Sequence, residues 1–199
     1  MAQPYGQNNL AIFAYGSLLT DPGEKIVPHI IDRIPYPSPW PIEYARRAKL
    51  RGHGPTLVIH QAGGIVRGQL LVLDFGVSAV DQVKELLWER EGRPPRERLK
   101  LMQCDGFGCV LYCDLESTLR DEELNPESLA RFAIESVCQN PARNGIRYLA
   151  QNIEQGIITP LTYAYRDAIL HHTGAVDLVE AEDLVWRSGR ILQEKEKGR

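Results

Sequence analysis

Five apolar residues in a row, Leu10-Ala11-Ile12-Phe13-Ala14, run straight into Tyr15-Gly16-Ser17-Leu18. The apolar run reads as a buried first strand, spanning about residues 10–17. The Gly–Ser pair at its end frees the backbone to turn sharply and point its N–H groups outward. A loop of that kind holds a carboxylate or an oxyanion.

More strands follow in the first half. Pro35, Pro37, Pro39 and Pro41 make residues 33–42 extended but exclude a central strand there. Residues 43–51 read as an irregular strand. Thr56–His60 and Ile65–Leu73 read as a hairpin around Gly63-Gly64. Phe107–Leu115 reads as a further strand, with 98–103 as its partner. One helix interrupts them: Ser78 is its N-cap, with Asp81 three residues on, and Gly92 follows its last turn before Pro94-Pro95. The second half reads as helices at about 126–138, 144–155, 159–173 and 181–192. Strands around one helix, then helices, predict an α+β fold. Strand edges need protection, so the expectation is a small mixed β-barrel of about five to seven strands with packed helices and a helical C-terminal part. Residues 9–192 are expected to form a single domain, with flexible tails at 1–8 and 193–199.

The chain has 199 residues, 43% of them hydrophobic, enough for one domain with a core. Its net charge of −3 argues against a nucleic-acid partner. No apolar run approaches a membrane span, so no membrane partner is expected. The first nine residues lack the basic and apolar regions of a signal peptide, which predicts a cytoplasmic location. Cys104, Cys109, Cys113 and Cys138 form no C-x-x-C pair and read as structural thiols. His171 and His172 are adjacent, diverge on a helix, and read as solvated. No metal or other cofactor is expected.

Glu91 breaks the polar pattern of its helix. At about 100° per residue, with Val80 at zero, Val83 falls near −60°, Leu87 near −20° and Glu91 near +20°. Glu85 and Glu89 fall near 140° and 180°, on the polar side. Glu91 therefore extends the apolar stripe by one turn. A helix C-terminus and partial burial both disfavour a charged carboxylate. General acid–base work at neutral pH calls for such an environment. The alternative is a frayed end at which Glu91 meets solvent or pairs with Arg90, Arg93 or Arg96.

With the loop and Glu91 in hand, the chain resembles the gamma-glutamylcyclotransferase superfamily, including its ChaC-like branch. Phe13-Ala14-Tyr15-Gly16-Ser17-Leu18 is similar to the family's substrate loop. Gly54–Val58 followed by Gly64–Leu70 is similar to its central hairpin. Glu91-Gly92 stands where the family has its catalytic glutamate. Val110-Leu111-Tyr112 resembles the strand that carries a Tyr into the cavity, and Asn144–Leu149 resembles the start of a late helix. The order holds from about residue 11 to 155. One departure stands out: many members carry a Tyr six or seven residues after the glutamate, where this chain has Glu97 and Arg98.

The resemblance implies a reaction. The α-amine of a γ-glutamyl amine, γ-glutamyl amino acid or glutathione attacks its own γ-carbonyl, giving 5-oxoproline and a free amine or amino acid without a cofactor. Glu91 is then the general acid/base. The backbone N–H groups of Gly16, Ser17 and Leu18 bind the α-carboxylate, Tyr15 belongs to the same loop, and Tyr112 hydrogen-bonds the substrate or Glu91. Two other classes remain open: a non-catalytic module that binds a small acid, and a protein-interaction module docking through an apolar stripe on 159–173.

Overall fold

A computed structural model describes residues 9–113 and 118–197, with side chains through residue 189. The expected tail at 1–8 and the Leu115 end of the expected 107–115 strand lie outside the described residues. The chain divides into two compact units. One takes the segments Met1–Pro39 and Val66–Asp114, the other Trp40–Ile65 and Leu115–Arg199.

The first unit contains β1 (Asn9–Ala14), the short helix α1 (Ser17–Thr20) and β2 (Ile30–Pro37). The second unit supplies β3 (Ile42–Ala48) and β4 (Gly54–Ile59). The first then resumes with β5 (Arg67–Gly76), α2 (Val80–Arg90), β6 (Leu99–Cys104) and β7 (Phe107–Tyr112). The second ends in α3 (Pro126–Gln139), α4 (Gly145–Glu154), α5 (Thr162–Thr173) and α6 (Leu178–Lys197). The helix α6 thus continues past Gln193, into the segment expected to be a tail.

In the first unit the sheet order is β2-β5-β1-β7-β6. The apolar β1 is central and buried along nearly its whole length, pairing antiparallel with β5 and parallel with β7. The proline-bearing β2 is an edge strand, where Pro35 and Pro37 remove few ladder bonds. It alternates half-buried and exposed residues, as a strand with one wet face does. The mixed α+β class is present, but no closed barrel forms among the described residues: five strands make one sheet and two make another. Edge protection comes instead from the prolines of β2 and from Lys100 on β6, devices that blunt an edge without closure.

The expected hairpin at 56–73 is also corrected. Its two halves join different sheets: β4 pairs with β3, and β5 pairs with β1 and β2. The Gly63-Gly64 pair does not turn β4 back onto β5. It folds onto β3, where Gly64 bridges to Ile42.

On one face of the first sheet, Leu10, Ile12, Ala14, Leu71 and Leu73 pack with Leu18 and with Val83 and Leu87 of α2. Val83 and Leu87 are wholly buried, as the helical stripe predicts. The start of α2 differs from expectation. Ser78 lies in a 3₁₀ turn, Val77–Ala79, and Ala79 holds the N-cap position without a side-chain bond. Chain leaving β5 is already coiled at that point, so no serine cap is needed to start the turn. The end is as expected. The Gly92 N–H donates to Glu89 O at 3.1 Å and the Arg93 N–H to Trp88 O at 2.9 Å, the paired bonds of a glycine-terminated helix.

In the second unit, β3 and β4 pair antiparallel with an irregularity between Glu43 and Arg46, consistent with the irregular strand read there. Asn144 caps α4, accepting from the Arg147 N–H at 2.9 Å. On α5, Tyr165 and Ile169 are fully buried. Tyr163 on the same helix is 48% exposed, so this stretch is buried only in part. His171 and His172 are both exposed. All four cysteines are free: Cys104, Cys109 and Cys113 are buried and Cys138 is exposed. No described helix is long and apolar enough to cross a membrane.

Candidate functional site

The substrate-loop candidate begins where β1 ends. Gly16 has φ 56° and ψ −131°, a conformation that a residue with a Cβ avoids, so the glycine is needed to leave the strand this sharply. The chain then closes into α1. The Leu18 N–H donates to Tyr15 O at 3.3 Å, the Leu19 N–H to Gly16 O at 3.2 Å and the Asp21 N–H to Ser17 O at 2.9 Å. The Leu18 N–H is therefore engaged in the turn, and the Leu18 side chain is buried in the core. Among the described residues, the N–H groups of Gly16 and Ser17 have no backbone acceptor. They are the two donors that the loop leaves for a ligand.

Glu91 caps α2, its N–H donating to Leu87 O at 3.0 Å. Its side chain is 15% exposed, so it does continue the apolar stripe inward. It is not, however, a carboxylate buried without a partner. Arg90 Nη1 donates to Glu91 Oε1 at 2.5 Å, and the Arg90 side chain is itself only 14% exposed. Among the described residues, Glu91 Oε2 has no hydrogen-bond partner.

Arg90 reaches further. Its Nη2 donates to Ser17 Oγ at 3.2 Å and to Asp21 O at 2.6 Å, and its Nε donates to the same carbonyl at 3.1 Å. One planar guanidinium thus ties the loop after β1 to the carboxylate after α2. A fork of fixed N–H directions suits that task in a way an ammonium does not. Because Ser17 Oγ accepts from Arg90, the Ser17 hydroxyl proton is free to point at a ligand.

Of the residues singled out in the sequence, Ser17 and Glu91 are brought together, through Arg90. The Tyr15 ring lies tilted, 5.8 Å from that of Phe13, which alternates to the sheet face opposite Ile12 and Ala14. Tyr112 ends β7 half-buried and packs on the same core cluster as Leu18 and Leu87. Glu97 and Arg98, where many family members have a Tyr, lie in a 3₁₀ turn after Pro95. Sequence reasoning weighed Arg90 only as a possible partner of Glu91 and missed its bonds to Ser17 and Asp21. A signal was present, since Arg90 falls near −80° on the helical projection, beside Val83 at about −60°. A cation on the flank of an apolar stripe has to find buried acceptors.

A cleft of about 390 Å³ opens beside Arg90, between Gly23–Ile26 and the α2 residues Leu86 and Glu89. Arg90 and Arg93 also line it, while Glu91 and the Tyr15–Leu18 loop do not. No cluster of three His, Cys, Asp or Glu side chains placed to hold a metal ion occurs among the described residues.

Chemically, the arrangement offers two backbone donors and a hydroxyl on one side, and a carboxylate with one uncommitted oxygen on the other. It suits a ligand that carries an anionic group and a proton to give. In comparisons with known proteins, the chain matches no family model, no curated protein and no solved structure.

Proposed function

We propose that this chain is a gamma-glutamylcyclotransferase, converting a γ-glutamyl amine, γ-glutamyl amino acid or glutathione to 5-oxoproline and a free amine or amino acid. One observation carries the reading: Arg90 joins Ser17 of the loop to Glu91, residues far apart in the chain, at a single point. The motifs that resemble the family's substrate loop and its catalytic glutamate thus meet, as the chemistry requires. The family's fold goes with this reading.

In the reaction, the Gly16 and Ser17 N–H groups bind the substrate's α-carboxylate and hold the glutamyl arm folded. Glu91 Oε2 takes a proton from the α-ammonium. The freed amine attacks the γ-carbonyl and a C–N bond forms. The bond to the leaving nitrogen then breaks as Glu91 returns the proton to that nitrogen. The attacking nitrogen gives up its second proton to the released amine, which leaves as an ammonium while the ring keeps one N–H. Proton transfer from an ammonium to a carboxylate is uphill in water. Alignment of nucleophile and carbonyl in one molecule contributes several kcal/mol in the other direction.

A second reading has its own observation. The ion pair between Arg90 and Glu91 is also what a non-catalytic module would use to fix the shape of a small-acid site. One experiment separates the two. Purified protein is incubated with glutathione and a panel of γ-glutamyl amines and dipeptides, with 5-oxoproline measured by mass spectrometry, alongside Glu91→Gln. Product from wild type and almost none from the variant supports the cyclotransferase. Saturable binding with no product, unchanged in Glu91→Gln, supports the binding module and sinks the first reading.

A further inference from the structure

Gln69 carries a buried acceptor that nothing satisfies. Its Oε1 is shielded from solvent and has no hydrogen-bond partner. The other such atoms among the described residues, on Gln155 and Tyr165, belong to the second unit. Gln69 belongs to the unit that holds Ser17, Arg90 and Glu91.

Its position is fixed by sheet register. Gln69 pairs with Ala14, the last residue of β1, directly before the Tyr15–Leu18 loop. The pairing is regular from Gln69 through Val72. Gln69 therefore shares a face with Leu71 and Leu73, and so with Ile12 and Ala14. That is the face on which Leu18 and Leu87 pack, and Glu91 lies one turn beyond Leu87. A polar side chain at this end of an otherwise apolar face is out of pattern. A buried acceptor left unmatched destabilises the site that holds it, and a ligand donor removes that cost.

We propose that Gln69 Oε1 accepts a hydrogen bond from the α-ammonium of a γ-glutamyl ligand; the proposal rests on the cyclotransferase reading for the identity of that ligand. The division of labour follows from hydrogen-bond sign. The loop presents donors, which suit the α-carboxylate. Gln69 Oε1 and Glu91 Oε2 present acceptors, which suit the ammonium. Three N–H groups on one nitrogen serve both. When one proton passes to Glu91, the hydrogen bond to Gln69 still holds the amine and fixes the direction of its lone pair. Gln69 is then a substrate-binding residue, and it selects a free amine over an acylated one.

The test compares L-glutamate with N-acetyl-L-glutamate, which lacks the ammonium, as ligands of wild type and Gln69→Leu. Dissociation constants come from calorimetry, thermal unfolding is followed in parallel, and the γ-glutamyl panel is run for turnover. Wild type should prefer L-glutamate, and in Gln69→Leu that preference should shrink by about 10- to 100-fold, the range for a hydrogen bond to a charged group. The variant should melt no lower than wild type, because the orphan acceptor is gone. A preference unchanged by Gln69→Leu, or no binding of L-glutamate to wild type, overturns the proposal. Turnover with an unchanged preference removes Gln69 and leaves the cyclotransferase standing. A collapsed preference without turnover does the reverse, and keeps Gln69 as the ammonium contact of a binding module.

Discussion

Gly23 lies against the stem of Arg90: a Cβ at position 23 would stand 2.9 Å from Arg90 Cγ. Its φ of +97° is also one that residues with a Cβ rarely adopt. Gly23→Ala therefore strains the backbone and pushes the guanidinium off Ser17, Asp21 and Glu91. We expect a loss of about 1–3 kcal/mol in denaturant unfolding, together with a fall in 5-oxoproline formation. Gly174→Ala is the control. Its φ is +70° and nothing stands within 4 Å of an added Cβ, so it carries strain alone and leaves turnover intact. Equal turnover in both variants would count against Arg90 as the link.

Arg90→Lys keeps the charge and loses the fork. A lysine cannot hold Asp21 O, Ser17 Oγ and Glu91 Oε1 in one plane. Misplacing a reacting group by about 1 Å costs on the order of 10²-fold in rate. The expected result is a kcat lowered by that order with KM changed far less, in protein whose circular dichroism matches wild type. A kcat within about threefold of wild type would show that charge alone suffices.

Ser17→Ala separates a binding hydroxyl from a nucleophile. Ser17 Oγ accepts from Arg90 at 3.2 Å, and among the described residues no carboxylate or imidazole hydrogen-bonds it. The variant should keep measurable turnover, about tenfold down, the value of one hydrogen bond. Complete loss, with a trapped acyl-enzyme in wild type, would instead indicate covalent catalysis.

The fold was legible where local physics decides it. Leu10–Ala14 can only be a buried strand, Pro35 and Pro37 can only sit at an edge, and Val83, Leu87 and Glu91 follow helical period. The pairing of β4 and β5 was not legible, because Gly63-Gly64 permits a turn without choosing the strand it turns toward. Closure of the sheet was misread for a similar reason: edge protection is a need with several solutions. At the candidate site, Gly16, Ser17 and Glu91 stood out by composition and period. The ion pair did not, because Arg90 and Glu91 are neighbours in sequence and i,i+1 residues do not normally face each other on a helix. They meet only because Glu91 is the capping residue, outside the regular turn. Gln69 was hidden by its neighbours, one polar residue in a strand read for its apolar ones.

The cysteines differ in access more than in kind. Burial pushes the Cys113 thiol up to about 11. Cys104 is held below the usual thiol range by a hydrogen bond from Cys109, yet it is shielded from solvent. Cys138 alone is exposed. A thiol reagent at pH 8 should therefore modify one cysteine quickly and three only on unfolding, since reactivity needs both thiolate and access. Cys138→Ser should abolish the fast phase. A fast phase that survives it would mean that Cys104 opens to solvent.

In the second unit, Glu43 is fully buried. Thr159 Oγ1 donates to its Oε1 at 2.5 Å, the Tyr44 N–H to Oε1 at 2.9 Å and the Leu161 N–H to Oε2 at 3.3 Å. Burial raises its carboxyl above the ordinary value of 4.5, and those three hydrogen bonds oppose the shift without cancelling it. The sign follows from proton linkage. The folded state holds the proton at a pH where the unfolded state has released it, so the unfolded chain binds fewer protons and stability falls as pH rises. This contribution is complete below the ordinary carboxylate value and is lost as pH rises through the higher folded value. Glu43→Gln cannot ionise and escapes the loss. Unfolding free energies measured from pH 4 to pH 8 should show wild type and variant converging at the acid end. Toward pH 8, wild type should fall away relative to the variant. A wild type that gains on Glu43→Gln as pH rises would mean that the three hydrogen bonds outweigh burial.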